Sequence, residues 1–140
     1  SRKVVFELFG RRLPATRRFG VVAFTGRILE ALERFEFTDQ QIDWLHDQKI
    51  VSDDALDYLR DFRFGGTIDG YQEGECYFAG SPLLTVEGSF AECVLLETLL
   101  LSVLNHDCAI ASAASRMTIA AHGRPCLDMG ARRTHERAAV

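Results

Sequence analysis

From residue 89 to residue 122 the chain contains neither glycine nor proline, and most of that stretch is apolar. A run of this length without a breaker leaves few options other than helix. Its start is marked by Ser89 and Glu92, the spacing of a capping box in which hydroxyl and carboxylate each satisfy an orphaned backbone N–H. Its end is marked by Gly123, suited to the left-handed residue after a last turn, and by Pro125, which cannot continue a helix. A single helix here is about 50 Å long at ~1.5 Å per residue. That is long for one domain, so residues 89–123 are expected to form either one core helix bent near Asn105, His106 and Asp107 or two helices in tandem.

The two halves of the segment differ in texture. Residues 93–104 are apolar on nearly every side except for Glu97, Thr98 and Ser102, the pattern of a helix covered by neighbours. Glu97 within the run, and Asn105 to Asp107 closing it, argue against a membrane span, which needs about 20 predominantly apolar residues. Glu97 itself is expected to meet a buried partner. Residues 109–121 are rich in Ala and Ser, so another backbone can approach closely; this suits tight internal packing or a subunit interface. A non-catalytic dimerisation or packing module is accordingly one reading of the whole.

Around this segment the pattern is mixed. Residues 4–9 read as a strand with both faces partly covered, followed by a basic loop holding Arg11, Arg12, Arg17 and Arg18 and broken by Pro14. That loop is either solvated or a receptor for phosphate or carboxylate. Residues 20–35 show helical spacing of apolar side chains. Thr38 with Gln41 gives a second capping box, before a helix using Ile42, Trp44 and Leu45. Ser52 with Asp53 and Asp54 starts a third helix, with Leu56, Leu59 and Phe62 on its apolar side and Tyr58 beside them. After Gly65 and Gly66 come short β-prone runs at 67–71, 75–78 and 83–86, spaced for hairpins or a meander. Residues 125–129 read as one more strand. The expected division is a mixed α/β domain over 1–88, the long helical segment over 89–123, and over 124–140 a strand with the start of the next helix, an α/β plan. Residue 1 is Ser, and residues 136–140 resemble the start of a helix, so the chain reads as an excerpt of a longer one.

The chemistry points to the end of that last strand. In α/β proteins ligands gather at the carboxyl ends of strands, and Gly130 there admits close backbone approach. Arg132 and Arg133 carry permanent charge and forked donors suited to carboxylate or phosphate; solvation or pairing with Glu136 is the plainer use of them. His135 has no identified partner, which fits a surface or capping residue better than an acid or base. Asn105, His106, Asp107 and Cys108 are adjacent, whereas metal ligands on one helix face stand three or four apart. The cysteines, Cys76, Cys93, Cys108 and Cys126, include no CxxC pair, and buried free thiols in a reducing cytoplasm are expected. Net charge is −4 and the basic pairs are dispersed, so nucleic-acid binding is not indicated.

Read together, several pieces resemble the amino-terminal part of bacterial nicotinate phosphoribosyltransferases. They are Phe6-Glu7-Leu8-Phe9 with Arg12-Leu13-Pro14; Arg18 to Ala23; Tyr58-Leu59 with Phe62-Arg63-Phe64; Asp69-Gly70-Tyr71 with Glu73-Gly74-Glu75; Phe78 with Pro82; Leu96-Glu97-Thr98 and Leu104-Asn105-His106; and Gly130 to Glu136. The resemblance covers essentially all 140 residues, and its specificity lies in the joint order. It implies an α+β amino-terminal domain leading into an irregular α/β barrel of the type II phosphoribosyltransferase kind, with residues 125–130 as the first barrel strand. It implies that Arg132, flanked by Ala131 and Arg133, contacts the nicotinate carboxylate or the phosphates of phosphoribosyl pyrophosphate. The implied reaction gives nicotinate mononucleotide and pyrophosphate, a step of NAD biosynthesis, with ATP hydrolysis and Mg²⁺, in a cytoplasmic homodimer that binds neither nucleic acid nor membrane. A related enzyme of nicotinamide or quinolinate is the neighbouring alternative. The family's phosphorylated histidine lies in a motif beyond Val140, so His135 does not take that role and these residues alone are expected to be inactive. Two departures stand out: a Tyr-bearing segment usual upstream of the first strand is missing, and Phe24 stands where a small glycine is expected, crowding a helix turn.

Overall fold

The computed structural model describes residues 2–130. Ala131, Arg132, Arg133 and His135 therefore lie outside the described residues. In chain order the elements are β1 (Lys3–Phe9), β2 (Gly20–Val21), α1 (Thr25–Glu33), α2 (Asp39–Asp47), α3 (Asp53–Arg60), β3 (Thr67–Gly70), β4 (Cys76–Tyr77), β5 (Pro82–Ser89) and α4 (Phe90–Ala121). Among the described residues, 29–65 pack as one unit and 2–28 with 66–130 as another.

In the larger unit β5 is the middle of an antiparallel sheet ordered β1-β5-β3, with Phe6 opposite Val86 and Ile68 opposite the same residue on the other side. Leu83, Leu84 and Val86 are buried, as a central strand requires. β1 is an edge strand and alternates: Leu8 is buried, while Val5 and Phe9 are exposed. Only one of its faces is covered, not both. No meander forms, because β4 leaves the sheet and pairs with β2.

Ser89 ends β5 and caps α4 in the same step. Its N–H donates to Glu92 Oε2 at 2.7 Å, and Glu92 N–H donates to Ser89 Oγ at 3.3 Å. The chain therefore turns from strand to helix without a loop, and α4 folds back over its own sheet. Of the two expected forms, the single helix is found: 32 residues, helical throughout, about 48 Å long. His122 (φ 50°) and Gly123 (φ 81°) both adopt left-handed backbone and end it.

Coverage of α4 is narrower than its composition suggests. Cys93, Leu96, Leu100, Val103, Leu104, Cys108 and Ser112 form one buried stripe, packed on β1, β2 and β5. Val94 and Leu101 are about two-fifths exposed (43% and 42%), so the first half is covered along one side only. Glu97 is exposed, not buried, so it makes no demand for an internal partner. By length and composition alone α4 is apolar enough to cross a membrane. The packing places the expected boundary between residues 88 and 89 inside one unit: the helix stripe needs the sheet, and the sheet needs the helix.

The first amphipathic run also differs from expectation. Gly20 and Val21 are strand, and helix begins only at Thr25. Gly26 N–H donates to Glu73 Oε1 at 3.0 Å, and Thr25 Oγ1 donates to the Tyr71 carbonyl at 3.1 Å, so residues far along the chain start this helix. Phe24 is fully buried and forms part of the core.

In the smaller unit α2 and α3 pack together behind the expected caps, Thr38 with Gln41 and Ser52. Ile42, Leu56 and Phe62 are buried; Trp44 is 57% exposed and is not part of the packed face. Rings of Phe35, Phe37, Tyr58 and Phe62 meet edge to face, the arrangement that ring quadrupoles favour.

Residues 124–130 are irregular, and Leu127 and Met129 are 87% and 85% exposed. The barrel strand expected there is not formed within the described residues. A strand exists only through ladder bonds to a neighbour, and none of the described strands pairs with this stretch.

The one-sided packing of α4 has a direct test. Leu96→Ala is expected to lower urea stability by about 2–5 kcal/mol and Leu101→Ala by well under half of that. Equal losses would show that the stripe is misassigned.

Candidate functional site

Among the described residues, arginine side chains converge at the loop between β1 and β2. The loop is tied at both ends. Gly80 N–H donates to the Gly10 carbonyl at 2.8 Å where β1 stops, and Arg17 N–H donates to the Pro14 carbonyl at 2.8 Å, curling the middle into a turn. At the far end Arg116 of α4 donates from Nη2 to the Phe19 carbonyl at 2.6 Å and from Nη1 to the Ser112 carbonyl, and its guanidinium lies 5.0 Å over the Phe19 ring. A planar, permanently charged fork can make these three contacts at once, and a lysine cannot.

Beside that anchor, Val21 N–H donates to Ser112 Oγ at 2.8 Å. Ser112 is buried (2% exposed) in the Ala- and Ser-rich half of α4, and its small side chain is what lets the β2 backbone come so near. The close approach expected of residues 109–121 is thus used inside the chain. On the partner strand Tyr77 is buried at 7% exposure, with its hydroxyl close to Ser112. Gly20 lies flat against the Tyr77 ring: a Cβ there would sit 2.2 Å from the ring carbon bearing the hydroxyl.

These contacts form one wall of an open cleft of about 850 Å³. Arg11, Arg12 and Arg17 line it, with Tyr77, Asn105 and Ser112. None of the described residues lining it is acidic. Three carboxylates elsewhere are paired: Asp107 with Arg27 at 2.6 Å, Glu87 with Lys3 at 2.9 Å, and Glu36 with Arg63 at 2.9 Å. No ion pair to Arg11, Arg12 or Arg17 occurs among the described residues. The geometry is suited to receiving an anion.

Burial shapes the titrating groups here. It raises the Tyr77 phenol above its ordinary 10.0, helped by Cys108; the nearby Ser112 hydroxyl and the charges of Arg17 and Arg116 oppose the rise without reversing it. Burial likewise raises the Cys108 thiol above 9.0, against a backbone hydrogen bond from Ala23 and with Asp107 adding to the rise. Cys93 is raised chiefly by burial, then by Glu92. The four cysteines are free, but only Cys93 and Cys108 are buried, while Cys76 and Cys126 are exposed.

Other residues singled out in the sequence separate in space or chemistry. Asp107 accepts from Arg27 and meets His106 Nδ1 at 2.9 Å, while Cys108 points into the core. Among the described residues no three His, Cys, Asp or Glu side chains gather as a metal site, so these residues do not furnish a place for Mg²⁺. At the chain's far end Gly130 N–H donates to Asp128 Oδ1 at 2.6 Å. Arg116, Ser112 and Tyr77 were not legible as a functional group. The available signal was that Arg116 is the sole charged residue between Cys108 and Ala121.

Residues 1–105 match the family described as nicotinate phosphoribosyltransferase (NAPRTase) N-terminal domain. The chain belongs to the nicotinate phosphoribosyltransferase family. It is 61% identical over all 140 residues to nicotinate phosphoribosyltransferase pncB1 of Mycobacterium tuberculosis, covering 31% of that protein. It is 37% identical over 136 residues to the Bacillus subtilis nicotinate phosphoribosyltransferase, covering 28% of it. The crystal structure of human nicotinic acid phosphoribosyltransferase superposes with a TM-score of 0.87 at 29% identity, over 96% of this chain and 28% of the human one. The chain thus spans about a third of the length of these relatives, and the mixed helix and sheet arrangement described above is that of their amino-terminal region.

The raised acids give a pH dependence with a definite sign. Groups held neutral by the fold contribute stability that is complete below their ordinary pKa values and is lost as pH rises through the raised folded ones. Urea stability is expected to fall once pH passes 9.0 to 10.0. Tyr77→Phe should flatten the part of that fall lying above 10.0; an unchanged slope would show that Tyr77 ionises freely.

Proposed function

We propose that a polypeptide carrying this chain joins nicotinate to phosphoribosyl pyrophosphate, giving nicotinate mononucleotide and pyrophosphate in NAD biosynthesis. The observation that carries this reading is the 61% identity, unbroken over the whole chain, to a protein named for that activity. These 140 residues supply the amino-terminal α+β part, and alone they are inactive.

Within this reading Arg132 is the first contact to the nicotinate carboxylate or the donor phosphates, with Arg133 and Ala131 lining the same place. Displacement of pyrophosphate from the anomeric carbon leaves positive charge on the ribose and negative charge on the departing group. A preorganised guanidinium lowers the barrier by meeting the latter without reorganising at the moment of reaction. Mg²⁺ and ATP belong to this reading as the family's cofactors, Mg²⁺ adding neutralisation of phosphate charge when bound; no step is assigned to them through the described residues, which do not fit a metal site. A homodimer in the cytoplasm, without membrane or nucleic-acid partners, completes the proposal.

The test uses a polypeptide of the relatives' full length that contains this chain. Arg132→Ala is expected to reduce nicotinate mononucleotide formation by at least about a hundredfold, the scale of losing one transition-state donor. Retained activity would remove Arg132 from the site. Competition among nicotinate, nicotinamide and quinolinate in the same assay identifies the base, and preference for either of the latter two would overturn the assignment.

A further inference from the structure

We propose that the open groove on α2 around Trp44 docks a basic amphipathic segment of another protein, with the segment's apolar side chains on the indole ring and its lysines or arginines on Asp43 and Asp47. A single apolar side chain on a surface is ordinary, so the exposure of Trp44 alone would carry nothing. Here it belongs to a larger feature. Phe37, Gln40, Gln41, Trp44 and Leu45 line a groove of about 490 Å³, and none of these described lining residues is basic. Ile50, 55% exposed, prolongs the apolar surface at the end of the helix, where its N–H donates to the Leu45 carbonyl at 3.3 Å.

Charge selects the occupant. Residues three and four apart are neighbours on a helix surface, so Asp43 adjoins Gln40 and Asp47 adjoins both Asp43 and Trp44. A row of carboxylates thus borders one side of the groove. Asp43 has no ion pair among the described residues, and Asp47 faces only His46, at 3.6 Å. The imbalance extends through the smaller unit, residues 29–65, which holds ten Asp and Glu against four Lys and Arg, a net of −6 in a chain of −4. Two of those four cations are already taken, Arg60 by Asp57 and Arg63 by Glu36. Such a face repels an anionic lipid surface or a nucleic-acid backbone and draws a cationic segment. The ring adds what charge alone does not: the indole face is the best aromatic seat for a guanidinium or ammonium, and Trp is among the residues that dominate binding once a partner covers them. The Gln40 amide beside it offers donors and an acceptor to the backbone of the segment.

Trp44 is the only tryptophan among the 140 residues, so its fluorescence reports this groove alone. The experiment titrates the 140-residue chain with a helical peptide of leucine and lysine, ~14 residues or about four turns long. A saturable blue shift and protection from acrylamide quenching are expected, weakened by salt and absent with the matching peptide of leucine and glutamate. Asp43→Asn together with Asp47→Asn should weaken binding about three- to tenfold, while Asp69→Asn, an exposed carboxylate of the other unit, leaves it unchanged. Trp44→Ala, followed against the unchanged chain by calorimetry, should weaken it about tenfold or more. Thermal melts by circular dichroism verify that each variant is folded, and Trp44→Phe, which keeps a ring of weaker cation affinity, replaces the alanine variant if that one is not. An unsaturable response, equal loss with Asp69→Asn, or no loss with the paired aspartate change would each overturn the proposal. So would binding to the 140-residue chain but not to a polypeptide of the relatives' full length that contains it, which would make the groove a seat for that polypeptide's own remainder.

Discussion

One stripe of α4 pressed onto the β1-β5-β3 sheet holds the larger unit together. Leu96 and Leu100 are essentially fully buried there, as are Leu83, Leu84 and Val86 beneath them, and each such side chain contributes about 1.5–3 kcal/mol through burial. The direction of the helix is set where it begins. Because Ser89 is both the last residue of β5 and the N-cap of α4, the helix has no loop in which to swing, and the Cys93 thiol sits 3.8 Å from the Val86 carbonyl of the strand it has just left.

Past the sheet, α4 changes from apolar packing to polar fastening. Ser112 and Arg116 hold the β2 backbone and the end of the arginine loop by hydrogen bonds. The two modes are matched to their cargo. An apolar stripe holds a sheet without specifying individual atoms, whereas an irregular loop with few apolar contacts is fixed only by directional bonds. Buried or half-buried bonds of this sort, once made, are costly to lose because the freed carbonyls and N–H groups have no water to turn to.

Much of this was legible locally. The three capped helices α2, α3 and α4 begin where Thr38, Ser52 and Ser89 announce them, because a cap is settled by side chains within three residues of the backbone they satisfy. β2 and β4 were not legible as partners. Each is a two-residue strand whose existence depends on the other across more than fifty residues, and no local pattern encodes such a pairing. Glu97 and Trp44 show the same limit from the other side: their placement in apolar runs predicts contact, but the turn of each helix leaves them outward. The Arg11 to Arg17 loop read locally as solvated or as a receptor for anions, and its ties to Gly80 and Arg116 are long-range contacts that no local pattern announces.

The flat contact between Gly20 and Tyr77 carries an evolutionary corollary. With 2.2 Å between a would-be Cβ and the ring, no methyl group fits on that side while the phenol stays where it is. Drift at either position is therefore chained to the other: a larger residue at 20 becomes admissible only in a lineage that has first traded the tyrosine for something smaller, and that trade gives up the hydroxyl that meets Ser112. Two sites so bound should change together or not at all.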